Sequence, residues 1–183
     1  GPGVNIYRTP LNGRNFEYMG EDPYLSATMV VPYIKGVQEN GVAACVKHYA
    51  LNNQEFNRHT TNVQLSDRAL YEIYLPAFKA AVQEGGTWSI MGSYNLYQGQ
   101  HACHNKRLLK DILRDEWGFK GAVVSDWGAV NDRVAGLNAG NDLEMPSSGG
   151  VNDAKIVEAV KCGVIDETTL DERVDKLIDI ILK

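Results

Sequence analysis

The sequence contains no lysine- or arginine-rich run, no long apolar stretch, no internal repeat and no low-complexity tract. With 18 basic against 23 acidic residues and a net charge of −5, it lacks the basic footprint of a nucleic-acid or anionic-membrane partner. A membrane helix needs about 18 or more consecutive apolar residues, and none is present, so no membrane partner is expected. Cysteine is scarce. Cys45, Cys103 and Cys162 are odd in number and far apart. They do not form a disulfide framework, and they lean toward a reducing compartment, hence the cytoplasm. His101-Ala102-Cys103-His104 crowds its metal-binding side chains together, and no second ligand pair stands at zinc-like spacing, so neither a metal nor another cofactor is expected. No signal peptide is visible. The chain opens abruptly on Gly1-Pro2-Gly3-Val4-Asn5-Ile6, already loop or strand, and any leader of a longer polypeptide would lie upstream.

What is present is an ordinary globular composition, 44% apolar and 22% charged. The 183 residues exceed half of a parallel barrel and fall short of a complete (β/α)8 barrel, which needs about 250. Strand-like and helix-like stretches alternate, the pattern of right-handed βαβ units on a parallel sheet. Asp22-Pro23 starts a helix that runs to Asn40-Gly41, with a kink or break expected at Pro32. Ser66 caps a helix to about Glu84, and Asn105 caps another from Lys106 to Trp117. Two closing helices span about Val151 to Cys162 and Glu167 to Leu182, the last with an apolar stripe at Leu170, Val174, Leu177, Ile178 and Ile181. About five strands are predicted, near Val4, Val42, Trp88, Ala122 and Asp142. The fold class is α/β, a TIM-like (β/α)8 barrel incomplete in this chain.

The run Gly121-Ala122-Val123-Val124-Ser125-Asp126-Trp127 is the most telling. Ala122 to Val124 read as a strand buried on both faces. Asp126 then stands at the C-terminal end of that strand, where α/β proteins place their chemistry. An equal alternative makes Asp126 the N-cap of a following helix. Other strand ends carry similar residues: Lys47-His48, Met91 to Tyr94, Asp142 and Glu144. In a parallel barrel these ends converge on one rim. Lys47 and His48 are sequence neighbours and point to opposite sides in a regular strand, so both face a ligand only if the strand is ending there. Otherwise Lys47 pairs with an acid and His48 is structural. Trp127 reads as core filler or as a platform for the apolar face of a sugar ring. The polar segment from Asn52 to Gln64 is either functional or disordered, and its amides suit a hydroxyl-rich ligand.

An ordered set of runs completes the picture: Gly1-Pro2-Gly3-Val4-Asn5-Ile6, Gly13-Arg14-Asn15-Phe16-Glu17, Glu21-Asp22-Pro23, Lys47-His48-Tyr49, Asn53-Gln54-Glu55, Gly92-Ser93-Tyr94-Asn95, Asp115-Glu116-Trp117-Gly118-Phe119 and Ser125-Asp126-Trp127. Together they resemble glycoside hydrolase family 3 of the β-glucosidase type. The resemblance implies a retaining glycosidase that removes terminal β-D-glycosyl residues through a covalent glycosyl-aspartate. It makes Asp126 the nucleophile. Arg14, Lys47, His48, Arg58 and Tyr94 become binders of sugar hydroxyls in the −1 subsite, with Met91 and Trp127 its apolar wall. The implied substrate is a β-glucoside or oligosaccharide.

The resemblance begins late in the family pattern, so residues 1–183 correspond to the C-terminal portion of the barrel domain. Further barrel strands and an α/β sandwich domain are expected from the rest of the polypeptide or from another chain. The family's two-domain members draw the acid/base from that second domain. Its single-domain branch carries a histidine in a Lys-His-Phe-Pro-Gly-His-Gly loop, where this chain has Lys47-His48-Tyr49-Ala50-Leu51-Asn52-Asn53. The isolated segment is therefore expected to be weak or inactive. Two rival functions stand beside this one. The first is a non-catalytic carbohydrate-binding fragment that lacks its acid/base. The second is a metal-assisted barrel hydrolase built on His48, His101, Asp126 and Asp142.

Overall fold

The computed structural model describes residues 1–183. Its centre is a parallel sheet of three strands in the order β1-β3-β6: β1 (Cys45–Tyr49), β3 (Ser89–Gly92) and β6 (Ala122–Val124). Val46 lies beside Ile90, and Ile90 beside Val123, all three fully buried. A fourth stave runs along β1, where the Val4 N–H donates to the Lys47 carbonyl and the Lys47 N–H to that of Pro2. A fifth runs along β6 through a parallel bridge between Val124 and Leu143. Five parallel staves are thus present, but the first and last are held by isolated bridges and not by full ladders. β1 also starts later than expected, at Cys45. Val42 is exposed, as the connection preceding a buried strand should be.

Helices cover the sheet. α1 (Pro23–Gln38) is capped by Asp22, whose Oδ1 accepts the Leu25 N–H at 2.8 Å. It runs unbroken through Pro32, so of the expected kink or break the break is absent. Pro32 is exposed, so the Thr28 carbonyl that its ring deprives of a partner is left on the solvent side. The predicted Ser66–Glu84 helix divides into α2 (Asp67–Ala69), a π-helical stretch Leu70–Tyr74, and α3 (Pro76–Gln83). Pro76 lacks the N–H that would continue the ladder, so a new helix starts at it. Val30 and Ile34 of α1 join Phe78 and Ala81 of α3 in the main core. The π-helix Arg107–Glu116 buries Leu108, Leu109, Ile112 and Leu113. Asn105 caps it as predicted, its Oδ1 accepting the Leu108 N–H at 3.0 Å.

Two features lay outside the sequence reading. A small sheet joins β2 (Asn62–Val63), β4 (Leu96–Tyr97) and β5 (Gln100–His101) above the barrel. It stitches down the Asn52–Gln64 segment, which is ordered. A short helix, α4 (Arg133–Ala139), is capped by Asp132 and closed by Gly140 at φ +117°, a conformation glycine tolerates. α5 (Val151–Lys161) and α6 (Glu167–Ile181) end the chain. The apolar stripe of α6 is not buried: Val174, Ile178 and Ile181 are exposed, as are Tyr24, Met29 and Tyr33 of α1. Arg173 is the buried residue of α6.

Arg173 explains Asp142. That aspartate was expected among the reactive rim groups, and the structure corrects this. Its side chain is fully buried, with Oδ2 accepting from Arg114 at 2.7 Å and from the Val123 N–H at 2.6 Å, and Oδ1 facing Arg173 at 3.3 Å. The charge triad locks α6 and the π-helix to the end of β6. Asp142→Asn keeps the shape but strands two guanidinium charges in the interior. Breaking such a pair costs about 3–5 kcal/mol. Chemical denaturation followed by tryptophan fluorescence should register that loss. A change below 1 kcal/mol would mean the triad is not structural.

Candidate functional site

The strand ends form one polar rim. Beyond Val46 the register of β1 against β3 slips, and pairing resumes only at Tyr49 with Gly92. The slip falls on adjacent Lys47 and His48, so regular pairing is interrupted there, and Lys47 pairs with an acid, Glu17, at 2.8 Å. Tyr49 turns outward, its ring edge-on to Phe78 and Trp117 and its hydroxyl donating to the Leu108 carbonyl at 2.9 Å. His48 turns inward. Its backbone is clamped twice by Asn5, which receives the His48 N–H at 2.6 Å and donates to its carbonyl at 2.9 Å.

The His48 ring is 1% exposed and fully engaged. Arg14 Nη2 lies 2.9 Å from Nε2, and the Tyr18 hydroxyl lies 3.0 Å from Nδ1. A guanidinium only donates, so Nε2 is the acceptor and the ring proton resides on Nδ1. Burial first, and then the charges of Arg14 and Lys47, push the imidazole down to about 3. The ring is neutral at physiological pH.

Asp126 lies 78 residues further on, yet its Oδ2 is 3.4 Å from His48 Nε2. Both atoms are acceptors, so this contact is not a hydrogen bond. Oδ1 accepts the Trp127 N–H at 2.7 Å. Oδ2 is buried and has no hydrogen-bond partner. Asp126 caps no helix, because the next one, α4, is capped by Asp132; the capping alternative is thereby excluded. Behind it lies Cys103, fully buried, whose Sγ donates to the Ser93 carbonyl at 3.5 Å. That sulfur approaches β3 only because residue 92 is glycine: a Cβ there would lie 2.6 Å from it. A buried carboxylate with one oxygen pinned and the other free is suited to attack an electrophilic carbon or to accept a proton.

Charged groups ring this carboxylate. Glu17 receives Arg14 Nε at 2.5 Å on one oxygen and Lys47 Nζ at 2.8 Å on the other. Burial opposes its charge, but the bonds from Arg14 and Lys47 prevail and hold the carboxyl down to about 2. Glu55 accepts from Arg58 at 2.8 Å and lies 3.9 Å from Arg14. Arg58 also stacks 4.1 Å over the Tyr94 ring. The Tyr94 hydroxyl donates to the Trp127 carbonyl at 2.9 Å, and burial, followed by the Asp126 charge, pushes it up to about 12. Trp127 presents its ring at 65% exposure, so it is not core filler. Met91 is half-buried on β3 beside Val124.

Arg14, His48, Arg58, Tyr94, Asp126 and Trp127 are therefore linked by direct contacts, and Lys47 joins them through Glu17. Asn5, Glu17 and Tyr18, which hold Arg14, Lys47 and His48 in place, were missed as supports; the available signal was a polar Asn5 between apolar Val4 and Ile6, and Glu17 and Tyr18 at and just after the end of the Arg14 run. The amides of the Asn52–Gln64 segment are largely spent internally. Asn53 donates to the Ile6 carbonyl, Asn52 to Glu55 at 3.2 Å, and Gln54 to the Phe56 carbonyl at 2.9 Å. The metal constellation is not assembled. Asp142 is committed to Arg114 and Arg173, His104 accepts the N–H groups of Asn131 and Asp132, and no three potential ligands gather anywhere.

Parallel staves with a half-free carboxylate, flanking cations and an exposed indole on their C-terminal rim define the class, an α/β protein of the parallel β/α-barrel type. The family model described as the glycosyl hydrolase family 3 N-terminal domain matches residues 1–180, and the chain belongs to that family. It is 69% identical over 147 residues to β-glucosidase BoGH3A of Bacteroides ovatus, covering 80% of this chain and 20% of that protein. It is 51% identical over 183 residues to an exo-α-(1→6)-L-arabinopyranosidase of Bifidobacterium longum, covering 100% of this chain and 24% of that protein. The solved structure of β-glucosidase 3B from Thermotoga neapolitana in complex with glucose superposes with a TM-score of 0.95 at 46% identity, covering 100% of this chain and 26% of that one. The chain thus spans a fifth to a quarter of the length of these relatives. No helix is long and apolar enough to cross a membrane.

The His48 assignment is directly measurable. An unfolded histidine protonates near 6.5, whereas this ring resists to about 3. Between those values the unfolded state binds the extra proton, so stability falls as pH drops through the window. Long-range proton–nitrogen NMR at pH 5 should find His48 neutral with its proton on Nδ1. A doubly protonated ring at pH 5 would contradict the Arg14 geometry.

Proposed function

We propose that residues 1–183 are the C-terminal portion of the barrel of a retaining, β-glucosidase-like glycoside hydrolase that releases terminal β-D-glycosyl residues. The observation that carries this reading is the state of Asp126. Its Oδ1 is fixed by the Trp127 N–H while Oδ2 is buried and has no hydrogen-bond partner.

In this reading Oδ2 attacks the anomeric carbon as the glycosidic bond breaks, and a glycosyl-aspartate forms. Water then cleaves that ester with net retention. Lys47, Arg14 and His48 bind hydroxyls of the −1 sugar. Their hydrogen bonds strengthen as the ring flattens toward the oxocarbenium-like transition state. Tyr94 and Arg58 close the rim, Met91 lines its floor, and the Trp127 ring offers an apolar face to the sugar.

The leaving oxygen needs a proton. Glu17 has both oxygens occupied by cations, Glu55 is paired with Arg58, and Glu144 accepts from Asn152 at 2.6 Å. The proposed acid therefore comes from a further segment, in keeping with relatives four to five times longer. The same segment-level completion would supply the remaining barrel strands and an α/β sandwich domain, and would cover the exposed faces of α1 and α6.

The test uses the complete polypeptide and a panel of aryl β-D-glucosides and aryl α-L-arabinopyranosides, the second sugar suggested by the Bifidobacterium relative. Lys47→Ala should lower kcat/KM at least 10-fold, roughly 1.4 kcal/mol or more of transition-state stabilisation. Asp126→Gly should lose turnover by orders of magnitude, and added azide should restore release of 2,4-dinitrophenol by forming the inverted glycosyl azide. Retained turnover in Asp126→Gly without azide would refute the assignment, and a Lys47→Ala effect confined to Tm would make Lys47 structural.

A further inference from the structure

Resting on that reading of Asp126, we propose that Glu17 is a positioning residue: it holds Arg14 and Lys47 off the free oxygen of the nucleophile and at the place where sugar hydroxyls bind.

Glu17 ends the short 3-10 turn Asn15–Glu17, and its carboxylate spans two cations from different parts of the chain, Arg14 at 2.5 Å and Lys47 at 2.8 Å. Arg14 uses its remaining nitrogens on His48 Nε2 at 2.9 Å and toward Glu55 at 3.9 Å. The same Nε2 lies 3.4 Å from Asp126 Oδ2. Arg14 and the free oxygen therefore touch one atom from two sides. Were the Nε bond to Glu17 lost, Asp126 Oδ2 would be an acceptor with no partner lying against the same histidine nitrogen that Arg14 already contacts. A guanidinium pairs bidentately with carboxylates, and a carboxylate so paired is less basic and less available for attack. Lys47, the other cation of the rim, loses its only ion pair at the same time. Glu17 is thus the counter-charge that allows two cations to serve the sugar without neutralising the nucleophile. It cannot double as the proton donor, because both its oxygens are taken and it stays ionised throughout the physiological range.

The ionisable surroundings are few. Asp126 is faced by His48 of β1, by Tyr94 after β3 and by Cys103 behind it, and its charge also reaches Tyr18 and Cys45; Glu17 is faced by Arg14, Lys47, Tyr18 and the N-terminal amine. Arg58 and Glu55 neutralise each other at the edge. His48 is neutral, and burial first pushes the Tyr94 hydroxyl and the Cys103 thiol up to about 12. Replacing the Glu17 carboxylate by a neutral amide removes a negative charge from the rim and frees Arg14 and Lys47, and both changes favour the anionic over the protonated form of a nearby carboxyl.

The experiment is Glu17→Gln in the complete polypeptide, assayed with a 2,4-dinitrophenyl β-glycoside, whose leaving group needs little acid assistance. The expected result is a fall of at least 10-fold in kcat/KM at pH 7, with the acid limb displaced to lower pH by half a unit or more. Glu17→Asp keeps the charge but is too short to span both cations, and should fall between parent and Glu17→Gln on both measures. If Glu17→Gln does not fold, Glu17→Asp decides alone. A variant with kcat/KM within threefold of the parent, or one that loses activity with the acid limb unmoved, overturns the proposal. If the parent turns over no aryl glycoside at all, the functional reading fails with it; an active parent with an indifferent Glu17 sinks this inference only.

Discussion

Parallel pairing of Val46, Ile90 and Val123 is the constraint on which the rest depends. Each is fully buried, and their alignment sets three strand ends at one height. His48 and Asp126 meet across 78 residues of sequence because of it. The helical layers need only hold that alignment. They do so with ordinary apolar packing and with one buried charge triad at Asp142, which fastens α6 and the π-helix to the tip of β6.

The rim solves an electrostatic problem. A proposed nucleophile must be ionised and unpartnered, yet the hydroxyl binders around it are cations that would pair with it. The structure separates the two demands. Backbone fixes one carboxylate oxygen of Asp126, neutral His48 stands before the other, and Glu17 occupies the cations. Asn5 and Tyr18 fix the histidine from behind, so each group that faces the open oxygen has a second contact that limits where it can go. Such outer contacts are what hold a polar site to useful tolerance.

Much of this was legible in the sequence, for physical reasons. Ala122 to Val124 are small and branched with no alternation, so a strand covered on both faces was the natural reading, and Asp126 followed as a rim group. Caps at Asp22, Ser66 and Asn105 are local chemistry and were readable as such. Asp142 was misread because a strand-end carboxylate looks the same whether it faces the rim or an interior arginine; its partners lie 28 residues before it and 31 after. Pro32 does not end α1 because a proline on the solvent side of a long helix leaves its unpaired carbonyl in water. The roles of Asn5, Glu17 and Tyr18 were invisible because each acts through another residue, and pairing between distant side chains leaves no periodic trace. The apolar stripe of α6 was seen correctly as a stripe, but periodicity does not say what covers it.

The central claim is that Asp126 Oδ2 is the atom that attacks the sugar. Incubating the complete polypeptide with a 2-deoxy-2-fluoro β-glycosyl fluoride, followed by proteolysis and mass spectrometry, tests it most directly. The account requires time-dependent inactivation and a single added fluoroglycosyl group on the peptide containing Ser125-Asp126-Trp127. A label on any other carboxylate, with Asp126 unmodified, would contradict it.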